Sequence, residues 1–162
     1  MWKIRESIPE AIVRYGMTYK YDLSLPVPKL YDIVEDMRTK VSKFDGAGAC
    51  GFGHLGDGTG EIFFCKFSTF FFLLSFFLSG NLHLNVFSKA YNAELLHAIE
   101  PYVYEFTAKD RGSISAEHGL GLMKAPYLSY SKDATTIEWM RRIKNQWDPS
   151  GILNPYKYLP PS

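Results

Sequence analysis

Residues 53–58 are Gly-His-Leu-Gly-Asp-Gly and residues 81–86 are Asn-Leu-His-Leu-Asn-Val, two short stretches that look like the two halves of one hairpin. Between them lie 22 residues, 59–80, of quite different composition. When that interval is set aside, Asp57-Gly58 becomes a two-residue connection, and Asp-Gly between strands is a strong hairpin signal. The sequence therefore predicts an antiparallel hairpin interrupted at its turn.

The predicted hairpin pairs His54 directly with His83, so the two imidazoles share one face of the sheet with Cβ atoms about 5 Å apart. In the same register Leu55 faces Leu82 and Gly56 faces Asn81. Because side chains alternate along a strand, the opposite face is apolar and predicted to meet a core: it carries Leu55, Leu82, Leu84 and Val86. Two adjacent histidines are a credible part of a divalent-metal site. The alternative is an ordinary solvated histidine pair.

The interval 59–80 holds 8 of the 12 phenylalanines of the chain. We interpret it as the translation of a retained intron, because pyrimidine-rich tracts encode Phe, Leu and Ser, and the codons of Gly58 and Gly80 can supply the splice signals. Two alternatives stay open. A membrane span requires about 20 apolar residues and tolerates few charges, whereas this run is short and contains Lys66. A buried helix that is apolar all round needs more surrounding protein.

The rest of the chain alternates between helical and extended periodicity. The order of elements predicts an α+β fold with an antiparallel sheet and helices packed on one face, in a single domain over residues 1–162 interrupted at 59–80. The predicted helices cover 4–15, 30–41, 94–109 and 137–147, and the predicted strands cover 17–25, 47–55 and 82–87.

Charge and cysteine content exclude several classes of protein. The net charge is +1 with scattered basic residues, so no nucleic-acid surface is expected. The two cysteines, Cys50 and Cys65, make no disulfide framework. No membrane span is expected. The chain begins within a helical pattern, and we expect it to be a fragment that lacks its natural start.

A second group of chemically active residues is Glu117-His118, within the glycine-rich and irregular stretch 113–123. A carboxylate added to the two hairpin histidines completes a His-His-Glu metal set with open positions, as in catalytic zinc sites. The neighbouring imidazole of His118 can move a proton near neutral pH. The alternative is an ordinary loop pair without function.

Four motifs in this order resemble the C-terminal half of the FAD-linked 2-hydroxyacid dehydrogenases. They are Gly-His-Leu-Gly-Asp-Gly at 53–58, Asn-Leu-His-Leu-Asn at 81–85, Ser-Ala-Glu-His-Gly-Leu-Gly at 115–121, and Asp-Pro-Ser-Gly-Ile-Leu-Asn-Pro-Tyr-Lys at 148–157. Lys-Tyr-Asp-Leu-Ser-Leu-Pro at 20–26 points to members that act on D-2-hydroxyglutarate. The resemblance covers nearly the whole chain outside 59–80.

The resemblance implies a role for each matching residue. The implied zinc ligands are His54, His83 and Glu117, and the implied catalytic histidine is His118. The implied substrate contacts are Arg5, Lys20 and Asn85, and the implied cofactor contact is Asn154. One departure is Pro9, which stands where the family presents a hydroxyl side chain to the substrate and which has no donor of its own.

The resemblance also implies a reaction and a setting. The expected activity is FAD-dependent oxidation of D-2-hydroxyglutarate, a 2-hydroxy dicarboxylate, to 2-oxoglutarate, with zinc as a second cofactor, in mitochondria, and with a flavoprotein as electron acceptor. The chain is expected to lack the preceding FAD-binding domain and to be inactive in isolation. The alternatives are a fragment of a related D-lactate or glycolate dehydrogenase, and a non-catalytic zinc-binding domain.

Overall fold

The structure is a computed structural model that describes residues 2–55 and 79–160. Its elements follow the predicted order, with boundaries shifted by a few residues. The helices are α1 (Trp2–Tyr15), α2 (Asp32–Val41), α3 (Ala93–Ile99), α4 (Tyr102–Lys109) and α5 (Ala134–Trp147), with short 3₁₀ segments at Val27–Lys29 and Ala125–Tyr130. The strands are β1 (Met17–Pro26), β2 (Gly48–His54) and β3 (Ser79–Ser88).

The three strands form one antiparallel sheet in the order β1-β3-β2, so β3 lies at the centre. Residues of alternating parity face opposite sides of this sheet. One face, which we call the core face, carries apolar side chains that pack with α2, α3 and α4. The fully buried residues of this core include Leu23 and Leu84 on the sheet, and Ile33 and Leu95 on the helices. The mixed helix and strand architecture with a small antiparallel sheet is confirmed.

The predicted register of β2 against β3 is wrong by two residues. His54 pairs with Asn81 and Phe52 pairs with His83, whereas the prediction paired His54 with His83. A shift of two residues keeps every side chain on its predicted face, so the two histidines still share one face. The turn assumed in the prediction, Asp57-Gly58, lies outside the described residues.

Helix α2 packs closely on β2. A Cβ on Gly51 would lie 2.7 Å from Val34 Cγ2, so only a glycine lets α2 approach the sheet at that point. Leu55, predicted to face the core, follows the last residue of β2 and is 76% exposed. The other three predicted core residues of the hairpin are buried as expected: Leu82, Leu84 and Val86.

Two further predictions need correction. The helix expected over 94–109 is two helices, because Pro101 lacks an amide hydrogen and forces Glu100 out of the helical region. The helices do not all lie on one face of the sheet. Tyr15 of α1 packs edge to face on Phe87, whose side chain points away from the core. Helix α1 therefore lies on the opposite face, beside the candidate site.

The predicted insert, 59–80, overlaps the described chain only at its end. Ser79 and Gly80 belong to β3, where they pair with Pro26 and Leu25. The remainder of that interval, with Cys65, lies outside the described residues. Within residues 2–55 and 79–160, none of the helices combines the length and the apolar character needed to cross a membrane.

Candidate metal and substrate site

The face of the sheet opposite the core carries four of the eight predicted site residues, His54, His83, Lys20 and Asn85, and we call it the polar face. Strand alternation places the side chains of one parity here, and the pairing brings Asp22 and Phe52 to either side of His83. Helix α1 and the irregular stretch 113–123 lie over this face. The polar face consists of Lys20, Asp22 and Ser24 on β1, Asn81, His83 and Asn85 on β3, and Cys50, Phe52 and His54 on β2.

Four residues of the polar face and the adjoining loop form a compact cluster. One potential ligand atom from each of Asp22, His83, Glu117 and His118 lies within 4.8 Å of the others. His83 Nε2 is 3.2 Å from Glu117 Oε1. The ring of His118 stacks on that of His83 with centroids 5.2 Å apart and planes 14° apart. The strand histidine and the loop pair Glu117-His118, proposed separately from the sequence, are therefore neighbours.

Asp22 holds the loop in this position. Its Oδ2 atom accepts hydrogen bonds from the backbone N–H groups of Glu117 and His118, both at 2.8 Å. The backbone N–H of Ala116 donates to the Asp22 carbonyl at 3.3 Å, and Ser24 and Ser113 form an isolated bridge nearby. An irregular loop is thus bonded along β1, so the Glu117 and His118 side chains project over the sheet.

The environment of His83 favours its neutral form. Burial lowers the pKa of His83 below its usual value, although the negative charges of Asp22 and Glu117 oppose that shift. The neighbouring imidazoles of His118 and His54 lower the pKa further. A metal is bound by a neutral imidazole, so this histidine is in the form that a ligand requires.

His54 lies at the edge of the cluster rather than within it. Its ring centroid is 6.2 Å from that of His83, nearly perpendicular, and its Nε2 atom is 3.4 Å from Arg5 Nη2. The two-residue register shift makes His54 and His83 diagonal neighbours instead of direct partners. Among the described residues, His54 is not one of the four whose ligand atoms cluster.

The basic residues proposed for substrate binding flank the cluster. Arg5 reaches from α1 over the polar face, where its guanidinium lies 5.6 Å from the centre of the Phe52 ring and forms an ion pair with Glu6. Lys20 is exposed and pairs across strands with Asn85. This pair lies two residues from the Asp22–His83 pair, a distance of about 7 Å along the strand.

Asn85 is buried, and its Nδ2 donates to the His83 carbonyl at 3.0 Å. Pro9 lies within α1, one helical turn after Arg5 and on the same side of that helix. The substrate contact expected from the family at this position stays a prediction from the resemblance.

Asn154 lies apart from these residues, in the C-terminal segment after α5. It is exposed, has a positive φ of 45°, and accepts a hydrogen bond from Lys157 Nζ at 3.4 Å. No contact described for residues 2–55 and 79–160 joins it to the cluster. Its role as a cofactor contact stays a prediction from the resemblance.

Asp22 is the residue that the sequence analysis missed. A signal was present, because the alternation of β1 places Lys20, Asp22 and Ser24 on one face and the apolar Tyr21 and Leu23 on the other. An aspartate on the same face as the lysine proposed to bind substrate is a candidate site residue. Its partners lie near residue 117, however, and the sequence offers no hint of that contact.

The residues present fit a zinc ion. Imidazole nitrogens and carboxylate oxygens are the zinc ligands of catalytic sites, which keep open positions for substrate. Asp22 Oδ1, in a carboxylate that is 1% exposed, lacks a hydrogen-bond partner among the described residues. Histidine ligands of metals commonly have a carboxylate behind the ring, and a buried carboxylate oxygen without a hydrogen bond beside His83 fits that arrangement.

Comparison with known proteins identifies the family of this chain. Residues 1–158 match the family described as FAD linked oxidases, C-terminal domain. Since the match covers nearly all of the chain, the chain belongs to this family.

Three curated relatives cover the same residues. A protein of Oryza sativa subsp. indica, named probable D-2-hydroxyglutarate dehydrogenase, mitochondrial, is 52% identical over 99% of this chain and 24% of its own length. Proteins of Arabidopsis thaliana and Bos taurus, named D-2-hydroxyglutarate dehydrogenase, mitochondrial, are 51% and 48% identical over 99% of this chain and 24% and 25% of their own lengths. The chain spans about a quarter of the length of the relatives it matches.

Proposed function

We propose that this member of the FAD-linked oxidases is the zinc- and substrate-binding part of an FAD-dependent dehydrogenase that oxidises D-2-hydroxyglutarate to 2-oxoglutarate. The observation that carries the proposal is the convergence of His83, Glu117 and His118 within contact distance on a face flanked by Arg5 and Lys20. The names of the rice, Arabidopsis and bovine relatives support the choice of substrate.

The residues proposed to hold zinc are His54, His83 and Glu117. His83 and Glu117 are already in contact through Nε2 and Oε1. His54 completes the set from the neighbouring strand, on the same face. When bound, zinc would supply Lewis acidity to the substrate oxygens.

His118 is the proposed base. Its side chain is 61% exposed, so a substrate can reach it, and an imidazole accepts protons near neutral pH. Its Nδ1 atom is 3.9 Å from Asp22 Oδ2, and its Nε2 atom is 3.8 Å from Glu117 Oε1. With Glu117 bound to zinc, Nε2 is the nitrogen proposed to accept the proton of the substrate 2-hydroxyl.

Arg5 and Lys20 supply the charges that a dicarboxylate requires. A guanidinium binds a carboxylate through two parallel N–H donors, and a lysine adds a second point charge across the sheet. Asn85, directly opposite Lys20, offers an amide oxygen to a hydroxyl or a protonated group. Two separated cations on one face suit a substrate with two carboxylates better than lactate or glycolate.

A bound flavin would supply the redox chemistry, and His118 would take the proton of the 2-hydroxyl. We propose Asn154 as a contact to that cofactor. We further propose a mitochondrial location, which the names of the relatives support, and an electron-accepting flavoprotein as the partner that reoxidises the flavin.

Ligand binding separates this proposal from its alternatives. The experiment measures zinc by chelator competition and then titrates the zinc-loaded chain with D-2-hydroxyglutarate, its L enantiomer and D-lactate in a calorimeter. We expect zinc binding and a preference for D-2-hydroxyglutarate. Equal or tighter binding of D-lactate would favour a lactate-type dehydrogenase, and zinc binding without any hydroxyacid binding would favour a non-catalytic zinc domain.

A further inference from the structure

The buried carboxylate of Asp22 has two oxygens in unlike surroundings. Oδ2 accepts from the backbone amides of Glu117 and His118, which are 95 and 96 residues away in the chain. Oδ1 has no hydrogen-bond partner among the described residues and lies 3.6 Å from His83 Nδ1. One side chain therefore touches the backbone of the proposed ligand Glu117 and of the proposed base His118, and faces the ring of the proposed ligand His83.

The orientation of the His83 ring gives this contact a direction. Nδ1 faces Asp22, and Nε2 faces Glu117 Oε1 at 3.2 Å. The separation of 3.6 Å is longer than a hydrogen bond, so it is a charge contact. A carboxylate at that distance still favours a proton on the nitrogen that faces it, because the N–H dipole points its positive end toward the charge. Without metal, Glu117 acts on Nε2 in the same way, and a zinc ion held by Glu117 would remove that competition and leave Asp22 to decide the tautomer.

A proton on Nδ1 leaves the lone pair of Nε2 free. In a neutral imidazole one nitrogen carries the proton and the other accepts or binds a metal, and the partner of the first decides which form is present. Histidine ligands of metals are commonly oriented in this way by a carboxylate behind the ring.

We infer that Asp22 is the positioning residue of this site: it holds the Glu117-His118 backbone through Oδ2 and sets the tautomer of His83 through Oδ1, so that Nε2 is the atom that meets the metal. This inference rests on the proposed function, because it assumes that His83 and Glu117 bind zinc. It assigns to Asp22 no contact with substrate or cofactor.

The first test needs no substitution. Long-range ¹H–¹⁵N correlation of the zinc-loaded 162-residue chain, at about pH 7.5 and so above the ordinary imidazole pKa, reports which ring nitrogen of His83 carries the proton. We expect a proton on Nδ1 and none on Nε2. A proton on Nε2 would overturn the inference.

The second test replaces the carboxylate with its isostere. In Asp22→Asn the amide oxygen can still accept from the two backbone N–H groups, but the amide N–H₂ then faces His83 Nδ1 and favours the opposite tautomer. We expect zinc affinity to fall by about 10- to 100-fold, the usual effect of removing a group behind a ligand. At saturating Co²⁺, the absorption spectrum should match that of the wild-type chain, because the ligands themselves are unchanged.

A matched control exists elsewhere in the fold. Asp148 is also buried and also accepts from two successive backbone amides, those of Ile152 and Leu153, but no imidazole faces it among the described contacts. Asp148→Asn should leave both the His83 tautomer and the zinc affinity unchanged. An equal loss of zinc affinity in both variants would mean that general destabilisation is the cause, and would overturn the inference.

The outcomes separate the inference from the function on which it rests. A wild-type chain without zinc affinity would refute the zinc site and the inference together. A wild-type chain that binds zinc while Asp22→Asn binds it equally well would refute the inference alone. A changed Co²⁺ spectrum in Asp22→Asn would make Asp22 a ligand, which also overturns the positioning role.

Discussion

Two buried aspartates in this molecule each accept from two successive backbone amides and have different surroundings. Asp148 accepts from the amides of Ile152 and Leu153, one on each oxygen, and Lys144 binds the same carboxylate. Asp22 accepts from the amides of Glu117 and His118 through Oδ2 alone, and its ion-pair contacts are with imidazoles. The first carboxylate is fully partnered, while the second has an oxygen without a hydrogen bond among the described residues.

The difference shows how a structural contact and a functional one can be told apart. The partners of Asp148 lie within five residues of it, so the contact serves only to end α5 and turn the chain. The partners of Asp22 are brought to it by the tertiary fold, and each of them is a residue with chemistry of its own. A buried carboxylate costs stability unless it is paired, and the ion-pair contacts described for Asp22 are with His83 and His118, so its position points to a site.

The largest expected effect is on turnover, and we expect it for His118, beside Asp22, and for no residue around Asp148. His118→Ala should retain zinc and lower kcat by about 10²- to 10⁴-fold, because it removes the proposed base. The measurement is dye reduction by a chimera in which this chain replaces the matching quarter of the rice relative. His97→Ala, an exposed histidine on α3, is the control. If His118→Ala emptied the metal site while Glu117→Ala did not, the roles of ligand and base would be exchanged.

A second prediction concerns the metal. His83→Ala should reduce zinc affinity by more than about 100-fold, because it removes a ligand. This loss is larger than the one expected for Asp22, which stands behind the ligand. Chelator competition on the 162-residue chain measures it. Phe52→Leu, directly opposite on β2, is the control for packing on the same face. A smaller loss in His83→Ala than in Asp22→Asn would contradict the assignment of His83 as the ligand.

The third prediction concerns how the stabilisation from the Asp148 carboxylate depends on pH. The hydrogen bond from Lys144, above all, lowers the pKa of Asp148 below its usual value. A lowered pKa in the folded state means that the stabilisation is present above the unfolded pKa of about 3.9 and is lost as pH falls through the folded value. Asp148→Asn should therefore have a lower Tm than the wild-type chain at neutral pH.

The same difference in Tm should shrink below about pH 4, as the wild-type carboxylate takes up its proton. Thermal unfolding followed by circular dichroism over this range measures it. Asp133→Asn, whose carboxylate caps the other end of α5 through the Thr136 amide, is a comparison at the same helix. The Thr136 amide lowers the pKa of Asp133 as well, so its Tm difference should also shrink in acid. A difference that stayed constant with pH would show that the charge of Asp148 does not carry the effect.

The smallest expected effect is that of Lys144→Met. Lys144 binds Asp148 and donates to the Leu153 carbonyl at 2.7 Å, but its side chain is 36% exposed. Exposed ion pairs contribute little and are screened by salt, so Tm should fall by only a few degrees. High salt should bring the two proteins closer together. A loss larger than that of Asp148→Asn would mean that the lysine, rather than the backbone contacts, holds this turn.

Much of the fold could be predicted because it depends on local pattern. Apolar spacing located α1, α2 and α5, and alternation located the three strands and the buried face of β3. Chemistry-bearing residue types located His83, Glu117 and His118, which the structure brings together. Pro101 also indicates a break between α3 and α4. The prediction missed this break because the apolar spacing continues on both sides of Pro101.

The register of β2 and the position of α1 could not be predicted in this way. The predicted register would place Gly53 opposite Leu84, where Gly51 lies, so the glycine that α2 requires is present in both registers. A two-residue shift also leaves the hydrophobic alternation unchanged, so the pattern alone cannot choose between the two registers. The face on which α1 lies depends on contacts such as Tyr15 with Phe87, which are far apart in the chain.

The sequence by itself determined which residues could carry the chemistry and which face of each strand they occupy, because side-chain type and alternation are properties of neighbouring residues. Only the tertiary structure decided that Asp22 holds the loop of Glu117 and His118, and that His54 stands diagonally from His83. The physical reason is that hydrogen bonds and packing between distant segments choose among arrangements that the local pattern allows equally.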